Sequence, residues 1–346
     1  MLHETECSKF VGAERVHAVM MNTAKNMIEL LENDPFAVLG QHRPRWISGI
    51  VGGRRPSRYS ESPALWNALF SKLGLDAAFL TFDLPHSEDM ATFMTSFLDG
   101  PGALDLTVTN PYKAIAWQEL SRLAPPIGMT LEVSSRVEAL GCLNHMMVDR
   151  EGGRLIAENT DGVGMYRALE TAYALAHPEA PAERLLAGSF VLLVGSGGAA
   201  ASIGLELVRS GVRLTIVDIA AADARALAAR LAPFAANPIE AGDWNLIPRV
   251  APQCEIIVSA ITAGVPIDAA GIARLPPDTL FADARYGEAA QFARAAAEAG
   301  RLSNGHVIDG RAMLFGQFAA AAALACSIVG IDSESFDQAV SEMTLE

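Results

Sequence analysis

The chain has 346 residues, 51% of them hydrophobic and 19% charged, the composition of a folded protein too long for one core, so two domains with a surplus are expected. With 26 Lys+Arg against 40 Asp+Glu the net charge is −14. That excludes a general nucleic-acid surface, whose affinity comes from cations neutralising phosphates, but not an anionic small molecule that needs one or two local cations.

The four cysteines (Cys7, Cys142, Cys254 and Cys326) show no CxxC pairing, so neither a zinc site nor a disulfide framework is expected. Glu4 and Glu6 stand where a secretory signal would carry basic residues, which predicts a cytoplasmic protein. Residues 1–45 read as an extension, partly helical: Val16, Val19, Met20, Ala24, Met27, Ile28 and Leu31 recur at near-helical spacing until Asn33-Asp34-Pro35 stops them.

From Trp46 the pattern alternates. A strand at 47–51 precedes a helix from Ser62, read as its cap, with Pro63 at the first helical position and Gly74 as its stop. A strand at 77–82, a helix at 88–97, a strand at 104–108 and a helix from Pro111 to about Leu123 follow, which implies an α/β layer with a largely parallel sheet. Two strands, 140–148 and 153–158, flank a turn at 149–152, and a helix starts near Val163. A surface loop at 177–183, strands at 190–194, 213–217, 256–260 and 280–283, and helices at about 195–210 and 222–231 complete the pattern. Residues 312–331 carry no charge and approach bilayer length, but the alanine content, Gln317 and Ser327 make this a buried soluble helix and not a membrane span.

The sharpest local signal is Gly195-Ser196-Gly197-Gly198-Ala199-Ala200, a GxGxxA between a strand and a helix. Gly195 permits the tight turn, Gly197 removes a side chain where pyrophosphate approaches, and Ala200 allows close helix–strand packing, while Gly198 and Ala199 open the helix whose N–H groups face the phosphates. Asp218 ends the next strand at the expected spacing of about 20 residues. An acid there accepts hydrogen bonds from the adenosine ribose and repels a 2′-phosphate, and the next arginine is as distant as Arg225, so NAD is expected ahead of NADP. The plainer alternatives are a tight turn in a nucleotide-free layer and a solvated strand-end acid.

Five ordered motifs around this turn resemble the shikimate dehydrogenase family, two-domain enzymes that interconvert 3-dehydroshikimate and shikimate. Residues 59–67 resemble HSxSPxxHN through Ser60, Ser62, Pro63 and Asn67, and residues 107–113 resemble NVTxPxK through Val108, Thr109, Pro111 and Lys113. Residues 141–145 resemble GAVNT through Gly141 and Asn144, residues 159–162 read NTDG, and residues 310–317 resemble GxxMLxxQ. The resemblance spans about residues 46–331. It implies an α/β substrate-binding domain at 46–160 completed by 310–346, and a Rossmann dinucleotide-binding domain at 161–309. It also implies that Ser60 and Ser62 bind a substrate carboxylate, that Thr109, Asn144 and Gln317 hold ring hydroxyls, that Tyr286 lines the pocket, and that Lys113 and Asp161 are the catalytic pair.

The residues argue for that pair on their own account. Hydride delivery to a ketone builds negative charge on oxygen, so a cation and proton donor must stand beside it. Lys113 falls at a helix start, where the helix dipole disfavours a cation, and Asp161 as partner would orient it. A solvated helix lysine and a plain capping aspartate are the alternatives. Ser62 is equally explained as a cap, whereas a glutamine in an uncharged helix, Gln317, is costly unless hydrogen-bonded. His145, with no second ligand at metal spacing, reads as a neutral strand-end or pocket-edge histidine.

Departures from the family pattern lie at Tyr59, Trp66, Thr107, His145, 259–265, Gly287-Glu288 and Asp218-Ile219, where the NADP enzymes carry asparagine-arginine. They leave the particular ring open: quinate, an aminated shikimate or a related catabolic substrate. The function expected is an NAD(P)-dependent oxidoreductase of a small cyclic hydroxy acid, tied to aromatic amino-acid biosynthesis and compatible with a homodimer. The competing readings are a non-catalytic metabolite sensor on the same fold and, as a third, a folate dehydrogenase, which would lack the Ser60/Ser62 and NTDG signals.

Overall fold

The computed structural model describes residues 27–100, 102–123, 128–176, 186–261, 266–301 and 306–343. Of the N-terminal helix expected at 14–31 only the end is described, with Met27 buried and Leu30 and Leu31 packed on a core; the loop expected at 177–183 lies outside the described residues. The chain divides into two compact units: one runs to Asn159 and resumes at Ala321, and the other is Thr160–Ala320.

In the first unit the elements are β1 (Trp46–Gly52), α1 (Ser62–Lys72), β2 (Ala77–Asp83), α2 (Met90–Asp99), β3 (Ala103–Val108), α3 (Lys113–Leu123), β4 (Thr130–Val133), α4 (Ser135–Leu140), β5 (His145–Asp149) and β6 (Arg154–Glu158). They form a six-stranded sheet in the order β2-β1-β3-β5-β6-β4. Strand β1 is parallel to both β2 and β3. The rest of the sheet is mixed and not largely parallel as the alternation suggests: β5 and β6 form an antiparallel hairpin, and β3 and β5 are also antiparallel. For the β5–β6 hairpin the reason is the short connection, since a parallel return needs a crossover of about a dozen residues or more. Asp149 fixes that turn by accepting from Gly152 N at 2.7 Å and from Arg154 Nη2 at 2.7 Å.

Residue 140 is not the start of a strand. It closes α4, which Ser134 caps by accepting from Val137 N and which ends at Gly141 in the left-handed region (φ +61°). Helix α1 buries Leu65, Trp66, Leu69 and Phe70 against the sheet, with Trp66 stacked on Phe79 at 5.3 Å. Its first residue is Ser62 and Glu61 occupies the cap position without a side-chain capping bond to the helix, so Ser62 is not the cap that the sequence suggests.

The second unit contains α5 (Asp161–Ala176), β7 (Phe190–Val194), α6 (Gly198–Arg209), β8 (Arg213–Asp218), α7 (Ala221–Leu231), β9 (Glu240–Asp243), α8 (Ile247–Val250), β10 (Ile256–Ser259), α9 (Ala269–Ala273), β11 (Leu280–Asp283), α10 (Gln291–Glu298) and β12 (Val307–Ile308). Its sheet is parallel throughout, in the order β12-β11-β10-β7-β8-β9. The strand order reverses between β7 and β10, and ligands of such sheets bind outside the carboxyl ends of the strands at that point. This is a doubly wound α/β sheet of the dinucleotide-binding type.

Helix α11 (Gly310–Ile328) starts in the second unit and its residues from Ala321 belong to the first, as does α12 (Ser333–Ser341). The sequence places the return to the first domain at 310; the first half of α11 instead packs on α5, where Gly316 lies against Gly164 with no side chain between them. Helix α11 has the length and apolarity to cross a membrane, yet Met313, Leu314, Phe318, Ala321, Ala322, Ala325 and Cys326 are buried in the protein, the pattern of a core helix.

Candidate active site

In the first unit the expected substrate residues gather where β1 and β3 end. Val108 N donates to Asn144 O at 2.7 Å, Thr109 N to Val51 O at 2.9 Å, and Leu143 N to Lys113 O at 3.2 Å. Three backbone bonds therefore bring Thr109, Lys113 and Asn144 to one edge of the sheet. Thr109 comes so close to Gly52 that a Cβ there would meet its methyl group. Asn144 is buried and Lys113 half-buried. Lys113 is the first residue of α3, and the turn before it is anchored by the buried Tyr112, whose hydroxyl donates to Leu84 O at 2.7 Å.

The loop from 53 to 62 starts at the same edge, with Gly53 N donating to Asn110 O. Asp83, at the end of β2, holds this loop by accepting from Ser57 N at 3.0 Å and from its hydroxyl. Ser60 Oγ accepts from Ser62 N at 3.3 Å, so Ser60, not Ser62, serves the first turn of α1. The capping explanation for the Ser62 hydroxyl is thereby removed.

Beside this edge lies a buried polar cluster. His145 Nδ1 stands 3.0 Å from Asp105 Oδ1, both residues almost fully buried, and Thr107 Oγ1 is within 3.5 Å of the same nitrogen. An ionised carboxylate only accepts, so Nδ1–H donates to Asp105. His145 is the first residue of β5, a strand-end histidine as expected, but with a carboxylate partner 40 positions away. Among the described residues no group of three His, Cys, Asp or Glu could hold a metal.

In the second unit the glycine turn stands at the point where the strand order reverses. Gly195 takes φ +114°, and a Cβ there would meet Ala260 O, beyond the end of β10, at 2.9 Å. A Cβ at Gly197 or Gly198, by contrast, has nothing within 4 Å. Helix α6 begins there without a side-chain cap, so its first N–H groups, those of Gly198, Ala199 and Ala200, are available to a ligand. This open cradle fits a pyrophosphate. Asp218 at the end of β8 accepts from Ser196 Oγ at 2.7 Å, and the following Ile219 is 75% exposed.

Asp161 is buried and is the first residue of α5, inside the helix and not its preceding cap. Helix α5 is clasped on two faces: a Cβ at Gly162 would strike the Ser202 carbonyl of α6, and one at Gly164 would strike Met313 O and meet Gln317 N at 2.7 Å. Gln317 thereby stands against α5, and its Oε1 is a buried acceptor without a hydrogen-bond donor. Tyr286 precedes a short turn beside the start of α11, where Gly310 N donates to Arg285 O at 2.9 Å. Residues 262–265 of the departing stretch lie outside the described residues. An open groove of about 930 Å³ between α5, α10 and α11 is lined by Arg167, Arg294 and Phe315 among others, and by none of the expected site residues.

Sequence reasoning missed Asp83, Asp105 and the partnership of Ser196 with Asp218. For Asp105 a signal existed: Asp105, Thr107 and Thr109 alternate with Leu106 and Val108, a polar face on an otherwise apolar strand.

A family model described as the shikimate dehydrogenase substrate-binding domain matches residues 53–128. Among curated proteins, a shikimate dehydrogenase (NADP(+)) of Symbiobacterium thermophilum is 34% identical over 201 residues, 57% of this chain and 58% of its own length. The chain thus spans less than two thirds of that relative. The shikimate dehydrogenase (NADP(+)) of Caulobacter vibrioides is 28% identical over 276 residues, 78% of this chain and 87% of its own. Among solved structures, a quinate dehydrogenase from Corynebacterium glutamicum in complex with NAD superposes with a TM-score of 0.65 at 22% identity, covering 86% of this chain and 99% of its own.

Proposed function

We propose that the chain is a member of the shikimate dehydrogenase family, a reading supported by the match at residues 53–128 and by the 34% identity over 201 residues, and that it is an NAD-preferring oxidoreductase acting on a ring hydroxyl of a shikimate- or quinate-like acid. The observation that carries the reading is the grouping of Thr109, Lys113 and Asn144, whose backbones are brought to one end of the sheet by three hydrogen bonds. That is the donor set a hydroxylated ring with a reacting oxygen needs.

When bound, the nicotinamide ring supplies or accepts the hydride. Lys113 holds the proton at the substrate oxygen and stabilises the charge that develops there. Asp161 acts as its partner in orientation. Ser60 and Ser62 bind the substrate carboxylate, Thr109 and Asn144 hold ring hydroxyls, and Tyr286 borders the ring. Gln317, with a buried acceptor in need of a donor, takes a substrate hydroxyl.

On the cofactor side, Gly195, Gly197, Gly198, Ala199 and Ala200 hold the pyrophosphate, and Asp218 takes the ribose hydroxyls. The curated relatives just described are named for NADP and the quinate dehydrogenase structure holds NAD. Here a carboxylate at position 218 and an apolar Ile219 favour NAD, because a 2′-phosphate would stand against a carboxylate, and the next arginine in the sequence is Arg225. Purified protein assayed with shikimate and with quinate, each with NAD and NADP, tests the reading. Turnover is expected with NAD and at least one of the two acids; no turnover with any of the four pairs overturns it.

A further inference from the structure

We propose that Ser196, the second residue of the glycine turn, is a positioning residue that sets cofactor preference by fixing the Asp218 carboxylate in its ribose-binding orientation. The proposal rests on the reading that a dinucleotide binds at this turn. Nothing in the backbone asks for a serine there: the positive φ falls at Gly195 and the open approach at Gly197 and Gly198. What the serine contributes is its hydroxyl, which donates to Asp218 Oδ2 at 2.7 Å.

The two residues are held at this distance from both sides. Gly195 N donates to Val217 O at 2.7 Å, which ties the first residue of the turn to the strand that ends at Asp218. Ala220 N approaches the other carboxylate oxygen, Oδ1, at 3.5 Å. Each carboxylate oxygen offers about two acceptor positions, so the bond from Ser196 leaves room for both hydroxyls of a ribose diol. Without it the half-exposed carboxylate is free to swing into solvent, and its ordering must be supplied by the ligand. Fixed as it is, the carboxylate also cannot turn away from an incoming 2′-phosphate. Ser196 therefore strengthens attraction to one dinucleotide and repulsion of the other, the two components of specificity.

Direct titration of the purified protein with NADH and NADPH, read by nicotinamide fluorescence, tests this without relying on turnover. Wild type, S196A, S196T and D218A are compared. Wild type is expected to bind NADH more tightly than NADPH. S196A should weaken NADH about 5–10-fold, as expected for one lost hydrogen bond to a charged group, and leave NADPH unchanged or tighter. S196T, which keeps the hydroxyl, should stay within about twofold of wild type.

If D218A weakens NADH but S196A does not, the inference about Ser196 falls while the dinucleotide reading stands. Equal losses of NADH and NADPH in S196A also overturn it, since they would mean a general role in the turn. If wild type binds neither nucleotide, the underlying reading itself falls.

Discussion

Lys113 occupies a place that helix stability does not favour. As the first residue of α3 it puts a cation at the positive end of the helix dipole, an arrangement that costs about 0.3–1 kcal/mol. Its backbone carbonyl is bonded to Leu143, which fixes it beside Asn144, and the buried Tyr112 clamps the preceding turn. A residue held firmly in an unfavourable position is explained by the chemistry proposed for it. Lys113→Ala is therefore expected to reduce kcat by about 10²–10⁴-fold with KM changed only a few-fold, while the thermal midpoint stays level or rises slightly. Steady-state kinetics and a melting curve on the same preparation check both halves. A raised KM at unchanged kcat would reduce Lys113 to a binding group.

The same scale shows what one sequence cannot display. Lys113, Asn144 and Gln317 stand out because their residue types are awkward where they sit. Asp105 and His145 do not, because each alone is an ordinary polar interruption of a strand. Only the register that sets Thr107 opposite His145 makes them a pair.

Helix α5 carries the element-level argument. It is gripped between α6 and α11 at Gly162 and Gly164, and Gly316 answers Gly164 from the other side. Close crossing of this kind fixes where Asp161 begins the helix and how Gln317 stands against it. Gly164→Ala adds a methyl group where the Met313 carbonyl and Gln317 N already sit. It should cost about 1–3 kcal/mol as an overpacking substitution, lower the thermal midpoint, and weaken substrate through displacement of Gln317. An alanine variant with unchanged melting and unchanged KM would show that the crossing has slack.

The strands and helices with strong periodicity or a glycine stop, such as β7, β11 and α1, are legible in the sequence to within a residue or two. Short ones are not. Strand β4, strand β12 and helix α4 have two to six residues each, too few for a period to repeat, and they exist because neighbouring strands and caps hold them. The mixed character of the first sheet was likewise hidden, since apolar runs look the same in parallel and antiparallel strands.

For the whole molecule, each unit has its own sheet and its own buried cluster: Phe82, Phe93 and Leu106 among others in the first, Leu192, Ile257 and Phe281 in the second. In each, one group of proposed site residues stands at the carboxyl ends of parallel strands where the strand order reverses: Thr109 between β1 and β3, and Gly195 between β7 and β10. The net charge of −14 plays no part in this, because the proposed acid-binding groups are hydroxyls, amides and one lysine at a strand edge.

Two units with a core each predict two unfolding steps, not one. Calorimetry should resolve two transitions, and NADH at about 100 times its dissociation constant should add about 2.7 kcal/mol to the unit that carries the glycine turn. For a unit of roughly 160 residues that corresponds to a rise of about 2–4 °C per kcal/mol in one transition alone. If NADH moves both transitions equally, the two units unfold as one cooperative body, and binding at the glycine turn is then linked to the stability of the entire chain.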